Sequence, residues 1–121
     1  MEVTITARHF QLDPSLREYL EGEIAGLTRF FERILEVHVI LEQEGYRQAA
    51  EIVVHLPRTH RIRARGEGKD MRLAFDTAVE KLETQIKRYK EKLKENKRHR
   101  KEEDELSKGG HDGGGQRSEA L

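Results

Sequence analysis

Two stretches of this chain repeat their apolar residues every three or four positions, and four others repeat them every two. These are the periods of an α-helix with one buried stripe and of a strand with one buried face. "EVTITA" alternates first, with Val3, Ile5 and Ala7 on one side. Leu16, Leu20, Ile24, Leu27, Phe31 and Ile34 then form a helical stripe. Asp13 can cap that helix, and Pro14 suits the first helical position, where its missing N–H costs nothing. Gly22 and Gly26 lower its intrinsic propensity, so packing must hold it. Val37, Val39 and Leu41 alternate next, "EGYRQ" supplies a turn, and Ile52, Val54 and Leu56 return. An odd-numbered set and an even-numbered set share one face of an antiparallel hairpin at any odd register sum. "LPRTH" breaks the chain, and "RIRARGEG" alternates with Ile62 and Ala64 inward and Arg61, Arg63 and Arg65 outward. "GEGKD" reads as a turn into a last helix capped by Asp70, with Met71, Phe75, Ala78, Leu82, Ile86, Tyr89 and Leu93 as its stripe.

The order is therefore β-α-β-β-β-α. One sheet needs its apolar face covered and two amphipathic helices each need an apolar partner. A two-layer α+β sandwich satisfies all three, with both helices on one face of a four-stranded sheet. The first strand–helix–strand passage is expected to be a right-handed crossover between parallel neighbours. The apolar period ends near Glu95, so the expected domain is 1–95, followed by a charged, Gly-rich tail over 96–121, disordered and helical at most in its first turns.

Charged residues make up 38% of the chain and hydrophobic ones 35%, so the core must be small and confined to the patterned part. The absence of cysteine excludes disulfide and thiol chemistry and suits a reducing compartment. "MEVTITARHF" has neither the basic nor the apolar region of a signal peptide, and no apolar run approaches the roughly 18 residues of a membrane span. A cytoplasmic chain with no membrane partner is expected.

A formal net charge of zero hides strong segregation. Residues 1–57 carry five basic and ten acidic side chains, residues 58–101 carry sixteen and seven, and residues 102–121 carry two and six. On a helical wheel Lys81, Gln85, Arg88 and Lys92 fall on one flank of the last apolar stripe, and Lys87, Lys90 and Lys94 on the other. Cations at that spacing recur roughly every 5–6 Å along the axis, comparable with the phosphates of an RNA strand. Such a row would gain chiefly from counterion release and be indifferent to base sequence. A merely solvated Lys-rich helix is the plain alternative. The length of the basic segment, the second cationic strip at Arg61, Arg63 and Arg65, and the acidic balance elsewhere favour a polyanion partner. The six His are scattered without metal-ligand spacing, and His38 and His55 read as outer-face strand residues. "GEGKD" lacks the full phosphate-loop pattern, and no acid–base or nucleophile constellation is evident, so neither an enzyme nor a cofactor is expected.

"ITARHFQLDPSLREYLE", "FFERILEVHVIL" and "EGKDMRLAFDTAVEKLETQIKRYKEKLK" together resemble the ribosome hibernation factors, the family of hibernation promoting factor and ribosome-associated inhibitor A. The resemblance covers about residues 1–95, and its most specific part is the "DMRLAFDTAVEKLETQI" start of the last helix. It implies a β-α-β-β-β-α fold similar to a double-stranded-RNA-binding domain. It also implies binding to the small ribosomal subunit along the messenger and tRNA path, in competition with both, which silences idle ribosomes when growth stops. The family's basic positions fall on Lys81, Arg88, Lys90, Lys92 and Lys94, with Gln85 at its polar position. Where relatives often carry Lys in the first helix this chain has Glu23 and Gly26, while Arg29 and Arg33 remain on its polar side. The polar extension implies a short form, monomeric off the ribosome. Some short forms make ribosome dimers with a helper factor and others oppose dimerisation, and the acidic extension leans toward the second group. A stand-alone structured-RNA-binding or RNA-chaperone module is the other reading.

Overall fold

The computed structural model describes residues 1–106, at the backbone level only for Thr28, Phe30 and 96–106. The elements are β1 (Glu2–Arg8), α1 (Pro14–Phe30), β2 (Glu36–Glu44), β3 (Arg47–Leu56), β4 (His60–Gly68) and α2 (Met71–Leu106). Met1–Ile86 forms one compact unit and Lys87–Leu121 a second, so α2 begins in the first and continues in the second.

Both helix starts are where local chemistry puts them. The Asp13 carboxylate accepts from Leu16 N–H and the Asp70 carboxylate from Leu73 N–H, each at 2.8 Å. The end of α1 differs from the expected stripe. The helix stops at Phe30, and Phe31 is already extended (φ −154°, ψ 112°), its N–H still bonded to Leu27 C=O. Phe31 and Ile34 are buried nonetheless, from the connection rather than from the helix. The chain must leave α1 there for Leu35 N–H to reach His55 C=O and for β2 to begin beside β1. A 3.6-residue period cannot reveal such an exit, because the residues after it stay apolar.

The sheet order is β1-β2-β3-β4, with β1 parallel to β2 and the other pairs antiparallel. Val37 opposes Val54 and Val39 opposes Ile52, an odd register sum, so both apolar sets share one face. Val37, Val39, Leu41, Ala50, Ile52, Val54, Leu56, Ile62 and Ala64 are all buried on that face. From the helices Leu20, Ile24, Leu27, Phe75, Ala78, Leu82 and Ile86 cover it. α1 lies beside α2: the Tyr19 and Phe75 rings meet edge-to-face at 6.3 Å, and Tyr19 O–H donates to Asp76 at 2.6 Å. Arg72 lies over the Tyr19 ring, 3.8 Å from its centroid. The hydrogen bond to Asp76, reinforced by burial, raises the Tyr19 pKa above its ordinary value. The two-layer α+β sandwich is therefore the fold of this chain.

Strand β4 runs through Gly68, so only Lys69 and Asp70 turn into α2, fewer residues than "GEGKD" suggests. α2 itself runs to Leu106, past the end of the apolar period. The part of the expected tail over 107–121 lies outside the described residues.

The two hairpin turns contrast. Gly45 takes φ +59° between β2 and β3, a conformation that costs glycine little. Between β3 and β4 the positive φ falls on Arg58 (65°) and Thr59 (56°), which is the geometry of a turn that prefers Asn-Gly. A left-handed conformation costs a β-branched residue about 1–2 kcal/mol. Arg58→Asn with Thr59→Gly is expected to stabilise the domain by about 1 kcal/mol, a rise of roughly 4–8 °C in melting temperature. Thermal unfolding followed by circular dichroism checks it, and an unchanged midpoint would show that the turn is unstrained.

Candidate nucleic-acid interface

β4 is an edge strand, and its alternation decides what it offers. Ile62, Ala64 and Gly66 face the helices, so Arg61, Arg63 and Arg65 must face the helix-free side. There Arg63 Nε lies 3.6 Å from Glu51, and Arg65 lies 3.3 Å from Glu67, which also pairs with Arg47 at 3.0 Å. Arg63 and Arg65 keep side-chain exposures of 62% and 49%, and exposed pairs of this kind are worth about 0–1 kcal/mol. A phosphate can take either guanidinium at little cost. Arg61 makes no ion pair among the described residues. Arg58, at the tip of the same hairpin and exposed, extends the strip; its place beside the alternating run was a signal that could have been used.

Among the described residues no strand pairs with the outer edge of β4, and α2 fills that role. Lys81 Nζ donates to Arg65 C=O and Gln85 Nε2 to Arg63 C=O, both at 3.0 Å. The match is geometric: four residues of helix rise about 6 Å, and two residues of strand advance about 6.6 Å. Two side chains one turn apart therefore reach two carbonyls on alternate residues. Lys81 and Gln85, expected as RNA contacts, thus also fasten the helix to the strand. One ammonium proton of Lys81 is used in this way and two remain for other acceptors.

Arg29 sits in the last turn of α1 and Arg33 in the connection that follows, and both are exposed. Leu35, two residues on, bonds to His55, which is the register partner of Arg61. Arg33 and Arg61 therefore share one end of the sheet. Toward the opposite end Glu42, Glu44 and Glu67 line a depression of about 370 Å³ together with Tyr46, Arg47 and Arg65, so the acidic groups there meet the end of the cationic row. The structure thus brings Arg61, Arg63, Arg65, Lys81 and Gln85 to one sheet edge.

In the second unit α2 continues with Lys87, Arg88, Lys92 and Lys94 exposed and Lys90 half-buried. Arg88 and Lys92 are one helical turn apart, as are Lys90 and Lys94. Tyr89 and Leu93, also one turn apart, are half-buried rather than core. On the helix-free face His38 Nε2 and Thr6 Oγ1 are 3.1 Å apart, which gives His38 a structural partner. Among the described residues no three His, Cys, Asp or Glu side chains group as metal donors.

The geometry can be set beside that of known proteins. The profile of the family described as Sigma 54 modulation protein / S30EA ribosomal protein matches residues 3–94. Ribosome hibernation promoting factor of Salmonella typhimurium is 35% identical over 95 residues, covering 78% of this chain and 99% of that protein. The protein of the same name from Escherichia coli K12 is 33% identical over the same coverage. Among solved structures, a ribosomal subunit interface protein from Coxiella burnetii superposes with a TM-score of 0.70 at 29% identity, covering 74% of this chain and 98% of that one. The Protein Y N-terminal domain of Thermus thermophilus does so with a TM-score of 0.67 at 34% identity, covering 74% and 99%. A match across 3–94, reproduced in sequence and in fold, means that this chain belongs to the Sigma 54 modulation protein / S30EA ribosomal protein family.

Proposed function

We propose that this protein is a ribosome hibernation factor that occupies the messenger and tRNA path of the small subunit and so silences idle ribosomes. The single observation that carries the reading is the family match over residues 3–94. The cationic strip of β4 with Lys81 in the first unit, and the cations of α2 in the second, give it a mechanism. Guanidinium groups of Arg61, Arg63 and Arg65 and the ammonium groups of α2 take phosphates of ribosomal RNA, while the fold itself obstructs the path that messenger and tRNA would use. Nothing in that mechanism requires bond chemistry or a cofactor. The site of action is the cytoplasm, where ribosomes are, and no helix among the described residues is long and apolar enough to cross a membrane.

Co-sedimentation with purified small subunits across a salt series tests the proposal. Five phosphate contacts predict an affinity loss of about 10²–10³ between 50 and 200 mM salt. Binding should also exceed that to a free RNA duplex at equal phosphate concentration, because the subunit supplies a shaped cleft as well as charge. Equal affinity for the duplex would instead identify a general RNA-binding module, and no binding to the subunit would remove the proposal.

A further inference from the structure

The two edges of the sheet are treated differently. The β4 edge is sealed by Lys81 and Gln85, whereas no described residue bonds to the outer edge of β1. Glu2 N–H donates to Leu35 C=O on the β2 side. Because successive residues of a strand point their backbone groups to opposite sides, Val3, Ile5 and Ala7 turn both N–H and C=O to the free edge. Between its charged ends, Glu2 and Arg8, the usual guards of an edge strand are lacking: β1 contains no proline and no lysine, and it pairs with β2 without a bulge. Val3 is 38% exposed although its register partner Val37 is fully buried, and Met1 and Leu35 beside it are 51% and 56% exposed.

The seven residues of β1, EVTITAR, are complementary to themselves read backwards. In an antiparallel pair of two copies centred on Ile5, Glu2 opposes Arg8, Val3 opposes Ala7, Thr4 opposes Thr6 and Ile5 opposes Ile5. Every opposition is favourable, and charge, apolar and hydroxyl pairs each match their own kind of partner. The backbone agrees independently. The residues that oppose one another across this centre with free N–H and C=O groups are the odd ones, and antiparallel residues so placed exchange both bonds. Val3, Ile5 and Ala7 would be satisfied in both copies, and the apolar side chains would continue the helix-covered face.

We infer that the outer edge of β1 is a self-association surface, which joins two copies of this chain through a two-fold antiparallel β1–β1 pair centred on Ile5. The product is a continuous eight-stranded sheet in which both β4 edges stay outermost. This inference does not depend on the proposed function, and it departs from the monomer that the resemblance to short forms implies.

Sedimentation velocity on the full chain over a concentration series reads the association, and amide hydrogen exchange reads its register. A dimer is expected to form with concentration, slowing exchange at Val3, Ile5 and Ala7 while Thr4 and Thr6, already turned to β2, stay unchanged. Glu2 and Arg8 are both exposed, so their charges can be reversed without touching the core. Glu2→Arg or Arg8→Glu alone places like charges at both ends of the pair and should weaken self-association about tenfold. Mixing the two variants restores opposite charges at both ends and should recover wild-type affinity as a heterodimer. A chain that stays monomeric to about 1 mM, a dimer whose odd-numbered amides remain unprotected, or a mixture no tighter than its components would each overturn the inference. Melting temperatures of the variants verify folding, and if Arg8→Glu does not fold, Glu2→Arg and the exchange pattern decide.

Discussion

Gly66→Ala is expected to lower the melting temperature of the domain by more than about 12 °C and to leave little folded protein at 37 °C. Gly66 is buried on the inner face of β4, where a strand with one covered face would ordinarily carry an apolar side chain. A Cβ built there would strike the backbone oxygen of Ala74, lie 2.6 Å from the backbone nitrogen of Ala78 and 2.9 Å from Thr77 Cβ. These are atoms of one face of α2, two of them main-chain, so no rotamer change relieves the clash. Moving α2 outward would release the bonds from Lys81 and Gln85 to the strand and open the packing around Phe75 and Leu82, both fully buried. Overpacking costs typically 1–3 kcal/mol, and a clash with backbone belongs at the top of that range or above it. Total stabilities of about 5–15 kcal/mol leave a small domain little margin. Gly22→Ala provides the contrast. Gly22 is exposed in α1 with nothing within 4 Å of a built Cβ, so the change should stabilise by about 0.5–1 kcal/mol. If Gly66→Ala melted with the wild type, the close approach of α2 to β4 would be wrong.

What the sequence discloses follows from how local each feature is. The caps at Asp13 and Asp70 and the outward row Arg61, Arg63 and Arg65 depend on a few consecutive residues, and all are legible. So is the parity of the β2–β3 register, because shared apolar faces put Val37 opposite an even-numbered partner, although parity does not select Val54 among the candidates. Gly66 was not legible as a contact point. Its role is set by how near α2 comes to β4, which no window of sequence contains. The bonds of Lys81 and Gln85 to strand carbonyls were hidden for the same reason, since they require the register of a helix against an edge. Arg72 is likewise visible in α2 as one more surface cation, and only the packing of α1 against it reveals the stack on Tyr19. The far end of α2 escaped a different way. Beyond Glu95 there is no apolar period to read, yet a charged segment continuing a helix already nucleated meets no new nucleation cost.

Arg88→Glu combined with Lys92→Glu is expected to weaken binding to the small subunit by at least about 100-fold at 0.1 M salt, with no loss of fold. Lys81→Glu is a poorer probe. Its carboxylate would confront the Arg65 carbonyl to which Lys81 now donates, so any lost affinity would mix with a loosened α2. Arg88 and Lys92 avoid that ambiguity. Both are exposed, neither makes an ion pair among the described residues, and both lie outside the compact unit Met1–Ile86 that holds the fully buried core. Reversing two charges removes two phosphate attractions and adds two repulsions. The effective number of neutralised phosphates should fall by about two to four. The slope of log affinity against log salt should become shallower in proportion, a signature that unfolding would not produce. Co-sedimentation at four salt concentrations measures the slope, and circular dichroism melting verifies the fold. Unchanged affinity with an unchanged slope would remove this stretch of α2 from the proposed interface and confine it to cations of the first unit, chiefly Arg61, Arg63 and Arg65. Lost affinity at an unchanged slope would mean that the two side chains shape the surface rather than meet phosphates.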